Sequence, residues 1–313
     1  MGITAVDGEG LEVWRGGVNP WQCDQMGHLN VRFYVAQAME GLAGVAAALG
    51  MVGAFSPAGT STLVVREHHI RFLKEARAGD ALYMTCGLIE LGEADACLLQ
   101  ILRHALTGEP AAVFQTRLVH AKATDAEPFP WSTAARDFAA ALMVEIPAGL
   151  EARSLTPGEA GKAGSVTEAD RMGLQRYGAG TFGGQECDVF GRVGAHHVMA
   201  RISDGAAQAI ADTRLAMAQA TPGAPTIGVA VVEYRLAYLE RPRAGDRYDM
   251  RSGLRFAQPR RLSWSHWLLD PSSGRPTAVA DGVLVPFDLK ARKTITLPDA
   301  ALEALQAQVV KGL

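Results

Sequence analysis

The chain has 313 residues, of which 30 are Lys or Arg and 33 are Asp or Glu, so its formal net charge is −3. Hydrophobic residues make up 48% and charged residues 20%, a composition typical of a globular protein and not of a disordered or coiled-coil chain. Because the chain lacks the basic excess that drives binding to a phosphate backbone, we expect no nucleic-acid partner. The length is twice that of an ordinary domain of about 150 residues, which favours two domains or a repeated unit.

Neither the first residues nor the longest apolar stretch suggests export or membrane insertion. Acidic residues stand where a secretory signal would carry a basic and then an apolar segment. Gln37, Glu40 and several glycines interrupt the apolar stretch at residues 36–55, which predicts a buried helix and no membrane span. The four cysteines form no C-x-x-C pair and no zinc spacing, so we expect reduced thiols in a cytoplasmic protein.

In the first half, an extended stretch from Leu11 and a loop rich in turn formers precede an Ala-rich helix predicted at residues 31–49. Four extended segments follow, each rich in β-branched or large apolar residues and bounded by Gly, Asp, Glu or Pro. They span residues 62–73, 81–91, 96–106 and 111–121. A short helix predicted at residues 132–143 closes this half.

The second half repeats this order of elements. A strand near residues 176–182 and a helix near residues 195–215 precede four extended segments, which begin near residues 226, 247, 261 and 276. A last helix is predicted at residues 298–310. The shared order indicates that the chain contains two copies of one unit.

Two short motifs support a duplication. The pattern C-D-x-x-G occurs at residues 23–27 and at residues 187–191, offset by 164 residues. The pattern A-G-D occurs at residues 78–80 and at residues 244–246, offset by 166 residues. The two offsets nearly agree, which supports the duplication.

Each copy has one long helix and about five strands, and an antiparallel sheet that curls around the helix would bury it. A stretch rich in Ala, Pro, Gly and charge lies between the copies. We therefore predict an α+β protein with an N-terminal domain at residues 1–150, a linker at residues 151–165 and a C-terminal domain at residues 166–313.

The densest group of chemically useful residues lies in the loop before the first long helix, at residues 20–30. Backbone N–H groups at a helix start can stabilise an oxyanion, and the Asp24 carboxylate beside them could attack an acyl carbon or activate water. The alternative is structural: Asp24 and Asn30 form a turn and a cap, Gly27 supplies an unusual φ, and His28 packs in the loop. Spacing alone leaves both interpretations open.

The run V-x-P-W-x-C-D-x-M-G-H-L-N-V-x-x-Y at residues 18–34 resembles hot dog fold acyl-CoA thioesterases of the 4-hydroxybenzoyl-CoA thioesterase type. The resemblance continues through Phe72 and Leu73 to the A-G-D turn, and the second half is similar to a diverged copy. It implies a tandem, or double, hot dog. In each repeat a five-stranded antiparallel sheet wraps a long helix, and the two repeats form a pseudo-dimer.

The resemblance also implies roles for the loop. Asp24 matches the catalytic carboxylate, as nucleophile or general base, and His28 and Asn30 match motif positions that shape the loop and contact the thioester or water. The N–H groups of Leu29 and Val31 match the oxyanion donors. No cofactor is implied.

The second copy departs from this pattern. It keeps Asp188, which makes a second site conceivable, but Arg192 and Gly194 replace the His and Asn of the motif. We therefore expect one working site at Asp24, with the second copy forming the opposite wall. By pseudo-symmetry, Glu233 and Tyr234 would approach Asp24.

The same symmetry would bring Glu67 and His68 toward Asp188.

Other chemistry has less support from the sequence. The pairs His68-His69 and His196-His197 are adjacent in sequence, so their side chains diverge and neither pair can chelate a metal alone. We therefore expect no metal site.

The sequence favours a cytoplasmic acyl-CoA thioesterase, monomeric or homo-oligomeric, that releases a free acid and CoA. Two alternatives stay open. The chain could be a non-catalytic acyl-thioester binding or scaffold protein, or a hydratase acting on enoyl-CoA, although the hydratase motif is not evident. The sequence does not indicate the acyl group.

Overall fold

The computed structural model describes residues 5–6, 8, 10–159, 162–221 and 227–313. The chain divides into two compact units. Unit 1 comprises Met1–Arg153 and Gln185–Met199, and unit 2 comprises Ser154–Gly184 and Ala200–Leu313. The first boundary between the units falls between Arg153 and Ser154. Residues 185–199 lie in the predicted C-terminal domain but belong to unit 1, because this loop and helix start pack with the first copy.

In the described part of residues 1–153, unit 1 has one long helix, a short second helix and six strands. The elements are β1 (Ala5–Val6), β2 (Gly10–Gly17), α1 (Val31–Ala48), β3 (Ser61–Phe72), β4 (Ala81–Leu91), β5 (Asp95–His104), β6 (Pro110–Lys122) and α2 (Thr133–Ala140). The predicted helix and the four predicted segments are confirmed to within two residues at nearly every end. Strand β1, which has two residues, is an additional strand beyond the five expected.

All strand pairs described in unit 1 are antiparallel, in the order β1-β2-β4-β5-β6-β3. Helix α1 packs on β2 and β4. Its apolar residues Val35, Ala38 and Leu42 are fully buried, as their spacing along one helix face requires. A Cβ at Gly41 would lie 2.9 Å from Val13, so a glycine allows the close approach of α1 to β2.

Unit 2 repeats the plan of unit 1. Its elements are α3 (Val166–Met172), β7 (Gln175–Thr181), α4 (Ala195–Ala209), which begins in unit 1, α5 (Ala211–Ala220), β8 (Ile227–Tyr238), β9 (Arg247–Gln258), β10 (Arg261–Leu269), β11 (Pro276–Asp288), β12 (Lys293–Thr294) and α6 (Asp299–Gln306). The strands pair antiparallel in the order β8-β11-β10-β9-β7, and β12 pairs with β11. Its antiparallel strands and few helices, like those of unit 1, fit a tandem hot dog.

One predicted helix is two helices in the structure. The sequence predicts a single helix near residues 195–215, whereas α4 ends at Ala209 and α5 begins at Ala211. Ile210 has φ −99° and ψ 2°, outside the helical range. The apolar periodicity continues across this residue, so the pattern does not reveal the break.

The repeats share irregularities as well as elements. In each sheet one residue of the strand equivalent to β4 has no partner, because a β-bulge inserts it: Ile89 in β4 and Arg255 in β9. These residues are offset by 166 positions. Each copy also places a parallel bridge after its last helix, Leu88 to Met143 and Leu254 to Val309. The same offset therefore relates all of these features.

All four cysteines are free, as the sequence predicts. Burial raises the pKa of Cys86 and raises that of Cys97 to about 12, so both stay protonated thiols in the core. Among the described residues, no helix is both long and apolar enough to cross a membrane.

Candidate functional site

The loop before α1 closes on itself through backbone hydrogen bonds. The Asp24 N–H donates to the carbonyl of His28 at 2.8 Å, and the Gly27 N–H donates to the carbonyl of Asp24 at 3.0 Å. Gly27 has φ 77°, the left-handed conformation for which glycine is favoured. The sequence of the loop therefore encodes a tight turn that leaves Asp24 exposed.

The Asp24 carboxylate uses one of its oxygens in this turn. Oδ1 accepts the N–H of Met26 at 2.8 Å and that of His28 at 3.1 Å. Oδ2 accepts no hydrogen bond from any residue that the structure describes. The carboxylate thus has the turn role that local chemistry suggests and also an oxygen available for a substrate or water.

His28 contacts polar side chains of the turn that precedes β4. Its Nε2 is 3.1 Å from Oε2 of Glu75 and 3.3 Å from Nη2 of Arg77. The same Arg77 nitrogen donates to Glu75 at 3.1 Å. These contacts join the loop to the turn.

The start of α1 separates the two expected oxyanion donors. The Asn30 side chain caps the helix by accepting the Arg32 N–H at 3.0 Å. The Leu29 N–H donates to the carbonyl of Ala76 at 2.8 Å, so it is already used within the loop. The Val31 N–H donates to no acceptor among the described residues. The structure thus corrects the expected pair, and only Val31 presents an available N–H group.

Tyr34 lies one turn into α1 and is buried beside this loop. Its ring meets Phe72 edge-on, with the ring centroids 5.2 Å apart, and its hydroxyl hydrogen-bonds with the backbone of Ala76. Burial is the main cause that raises the Tyr34 pKa, and the nearby carboxylates of Glu75 and Asp24 raise it further. The phenol is therefore a neutral packing group at physiological pH.

The second copy of the loop has the same geometry. Oδ1 of Asp188 accepts the N–H groups of Phe190 and Arg192, both at 2.9 Å, and Gly191 has φ 75°. The Arg192 side chain is buried and donates to the carbonyl of Ala123. The arginine that replaces the motif histidine is thus part of the packing of unit 1.

The helix start that follows Asp188 differs in chemistry from that of α1. Gly194 provides no side-chain cap, and the rings of His196 and His197 lie 4.1 Å apart. Burial lowers the pKa of His196 to about 4, and the charges of His197 and Arg32 lower it further. A neutral, largely buried imidazole therefore stands at the start of α4.

Glu233 and Tyr234, the expected opposite wall of the site, contact residues of unit 2. Oε2 of the buried Glu233 accepts the N–H of Ser154 at 2.8 Å. Tyr234 is buried with its ring 6.3 Å from that of His266, and burial raises its pKa. The approach of these two residues to Asp24 stays a prediction.

Glu67 and His68 are likewise buried in unit 1. The His68 ring meets Phe114 edge-on at 6.2 Å, and the pairing of these residues with Asp188 stays a prediction. The part of the chain that the structure describes contains no group of three or more His, Cys, Asp or Glu residues able to hold a metal ion.

Sequence reasoning missed one buried polar cluster, in unit 2. Nδ1 of His266 is 2.9 Å from the Ser252 hydroxyl and 3.1 Å from the Tyr177 hydroxyl. Burial lowers the pKa of His266 to about 4, and burial is also the main cause that raises the pKa of Tyr177. All three side chains are buried, so the cluster is part of the core of unit 2. Alternation along β9 and β10 could have placed Ser252 and His266 on one face, but no motif links them to Tyr177.

Two segments, residues 18–142 and residues 183–305, match the thioesterase-like superfamily. These segments include both copies of the Asp-containing loop and most of both sheets. Since they cover more than half of the chain, the protein belongs to the thioesterase-like superfamily. No curated protein sequence matches the chain.

Solved structures of thioesterases share the fold of most of the chain at low sequence identity. A Lactobacillus plantarum protein provisionally described as an oleoyl thioesterase has a TM-score of 0.66 and 12% identity, over 95% of this chain and 100% of that one. The 12:0-ACP thioesterase from Umbellularia californica has a TM-score of 0.63 and 13% identity, over 87% and 93%.

An acyl-ACP thioesterase from Bacteroides thetaiotaomicron has a TM-score of 0.59 and 11% identity, over 87% of this chain and 96% of that one. At such identities the likeness establishes the fold alone. The three structures therefore support the tandem architecture, and the activity of this chain has to be argued from its own residues.

Proposed function

We propose that this protein hydrolyses the thioester of an acyl-CoA to a free acid and CoA, with its working site at Asp24. The observation that carries the proposal is the geometry of one short loop in a superfamily fold. Within eight residues, the loop presents a carboxylate oxygen and a helix-start N–H that have no partner among the described residues, on Asp24 and Val31. These are the two groups that acyl transfer requires.

The chemistry divides between these two groups. Asp24 Oδ2 takes a proton from water, whose oxygen then bonds to the acyl carbon; alternatively, Oδ2 attacks that carbon and water cleaves the resulting anhydride. In both routes the C–S bond breaks, and the thiolate leaves and is protonated to the thiol. The Val31 N–H and the positive end of α1 stabilise the oxyanion that forms on the way.

The acyl carrier is the finer part of the proposal. The resemblance of residues 18–34 to acyl-CoA thioesterases favours CoA, whereas two of the proteins with a similar fold are described as acyl-ACP thioesterases. A turnover assay therefore has to include both carriers with the same acyl chain. Faster hydrolysis of acyl-ACP would leave the reaction class in place and replace the carrier.

The first experiment measures thiol release from short, branched, aromatic and long-chain acyl-CoAs by the wild type, Asp24→Asn and Asp188→Asn. An Asn at either position keeps an oxygen that can accept the two loop N–H groups, so both variants retain the turn. We expect Asp24→Asn to lower kcat/KM about 10²-fold or more, and Asp188→Asn to keep wild-type activity.

Each other outcome of this experiment changes a defined part of the proposal. Loss of activity only in Asp188→Asn would move the site to the second loop. Equal activity in all three proteins would remove the carboxylate mechanism. Wild type that binds acyl-CoA without releasing thiol would favour the binding or scaffold alternative.

A further inference from the structure

We propose that unit 2 contains a binding site for a small oxyanion, a phosphate or carboxylate group, in a cavity on the face of its sheet that carries Ser265. The cavity has a volume of about 300 Å³, at the lower end of the range for ligand pockets. Ser265 and His266 are neighbours on β10, so their side chains face opposite sides of the sheet. The cavity is therefore separated by the sheet from the buried His266 cluster.

The floor of the cavity is a row of polar residues across three strands. Arg235 on β8 pairs with Asp281 on β11, which pairs with Ser265 on β10. Nη2 of Arg235 donates to Oδ2 of Asp281 at 2.9 Å, and both side chains are more than nine-tenths buried. The walls are formed by Ser154, Leu155, Thr156, Glu159, Lys162, Gly312 and Leu313.

In the first copy, apolar side chains occupy the positions equivalent to three residues of this lining. The bulge residue Ile89 and the segment residue Ile146 pack with Leu99 in a hydrophobic cluster. At an offset of 166 residues, the second copy has Arg255, Gly312 and Ser265 in these places, in the same order. Three apolar side chains are thus replaced by a cation, a glycine and a hydroxyl, which opens the space and makes it polar.

The charge of the cavity favours an anion. The lining side chains include the cations Arg235, Arg255 and Lys162 and the carboxylates Asp281 and Glu159, so these side chains carry one more positive than negative charge at neutral pH. Arg255, the bulge residue, has Nη1 3.5 Å from Oδ1 of Asp281 and is partly exposed to the cavity. Its charge is therefore held near the buried carboxylate without a direct hydrogen bond.

Hydrogen-bonding capacity distinguishes an oxyanion from other ligands. The Arg255 guanidinium and the Lys162 ammonium donate no hydrogen bond to any residue that the structure describes, although they carry eight N–H groups between them. Arg235 is already engaged, with the carbonyl of Thr156 3.3 Å from its Nη1 and Asp281 at its Nη2. Donors in excess of acceptors match the oxygens of a phosphate or carboxylate.

The test titrates inorganic phosphate, and in a parallel arm acetate, into the full-length protein by calorimetry, with sodium chloride at equal ionic strength as the reference. The proteins are wild type, Arg255→Gln, Lys162→Gln and the control Arg171→Gln, which removes an exposed charge from the same unit. Arg235 is left intact because removing one partner of a buried ion pair destabilises the fold. Circular dichroism checks that each variant is folded.

We expect saturable binding of phosphate, acetate or both to the wild type and to Arg171→Gln. The dissociation constant should rise about tenfold in Arg255→Gln and by a smaller factor in Lys162→Gln. Preference for one probe over the other distinguishes a phosphate from a carboxylate ligand. No saturable binding of either anion to the wild type, or equal affinity in all four proteins, would overturn the proposal. Because thioester hydrolysis is not measured, the result is independent of the proposed function.

Discussion

At the scale of single residues, equivalent positions in the two copies hold different buried polar side chains, Gln100 and His266. Gln100 in unit 1 donates from its amide to the carbonyl of Ala38 at 2.8 Å and accepts from the Thr116 hydroxyl at 2.7 Å. The residue 166 positions later is His266, which is hydrogen-bonded to two hydroxyls. Each polar side chain is buried and satisfied, as a core of this density requires.

His266 makes the stability of the protein depend on pH. Its pKa is about 4 in the folded protein, against about 6.5 in an unfolded chain. As the pH falls from about 6.5 toward 4, the unfolded state therefore binds a proton that the folded state does not, and the free energy of unfolding decreases by up to about 1.4 kcal/mol per pH unit. Above about pH 6.5 both states are neutral and this contribution does not change.

The substitution His266→Gln, which introduces the residue of the first copy, should flatten this dependence by about one proton. Urea unfolding at several values between pH 7 and 5 measures the slope for wild type and variant. His196, whose pKa is also about 4, leaves a residual slope in both proteins. An unchanged slope in His266→Gln would show that His266 titrates normally in the folded state.

The cap residue Asn30 gives a second prediction at this scale. Its side chain accepts the Arg32 N–H at the start of α1, and loss of such a cap costs about 1 kcal/mol. Asn30→Ala should therefore lower the free energy of unfolding by about that amount, whereas Asn30→Asp, which keeps an acceptor, should not. Equal losses in the two variants, measured by urea unfolding, would assign the effect to something other than the cap.

At the scale of elements, a glycine at one helical position lets each long helix approach its sheet. Gly41 in α1 meets Val13, and Gly205 in α4, 164 residues later, meets the ring of Tyr177. The strand residues Val13 and Tyr177 are separated by the same 164 positions. The helix-to-strand contact is thus a shared feature of the two copies, although its side chains differ in size.

This contact predicts that Gly205→Ala lowers the free energy of unfolding, whereas helix propensity alone predicts that it raises it. Ala is about 1 kcal/mol better than Gly inside an exposed helix. A Cβ at residue 205 would overlap the Tyr177 ring, so Gly205→Ala should instead lower the free energy of unfolding by about 1–3 kcal/mol. The exposed neighbour change Gln208→Ala serves as the control and should alter stability by less than about 0.5 kcal/mol. A Gly205→Ala protein more stable than wild type would contradict this packing.

At the scale of the whole molecule, the compact units do not coincide with contiguous halves of the sequence. Residues 185–199 belong to unit 1 together with residues 1–153. In this segment Arg192, Val193 and Val198 are buried, and Arg192 donates to the carbonyl of Ala123. A fragment that ends at the apparent domain boundary therefore lacks part of its own packing.

We expect a fragment of residues 1–153 to expose apolar surface that the full chain buries. It should bind the dye ANS and self-associate, as measured by fluorescence and size-exclusion chromatography, whereas the full chain should not bind ANS. A peptide of residues 185–199 added in excess should reduce the ANS signal, and a peptide with Arg192 and Val193 changed to Ala is the matched control. A monomeric fragment that unfolds cooperatively without the peptide would show that unit 1 does not need this segment.

The sequence is sufficient to predict the duplication, nearly all of the strands and the first long helix. These features follow from local chemistry, because apolar periodicity, turn formers and the repeated C-D-x-x-G and A-G-D patterns act over a few residues. It also indicated Asp24, since Asp and Gly before a helix start define a turn. The sequence does not distinguish the Leu29 amide from the Val31 amide.

Which groups have partners depends on how distant segments of the chain meet in the fold. The Leu29 N–H is used because the Ala76 carbonyl, 47 residues away in sequence, lies opposite it, while the Val31 N–H has no acceptor among the described residues. The transfer of residues 185–199 to unit 1 and the cavity around Arg255 likewise depend on contacts between distant segments. Such contacts are set by packing and burial across the fold, which no short pattern of residues specifies.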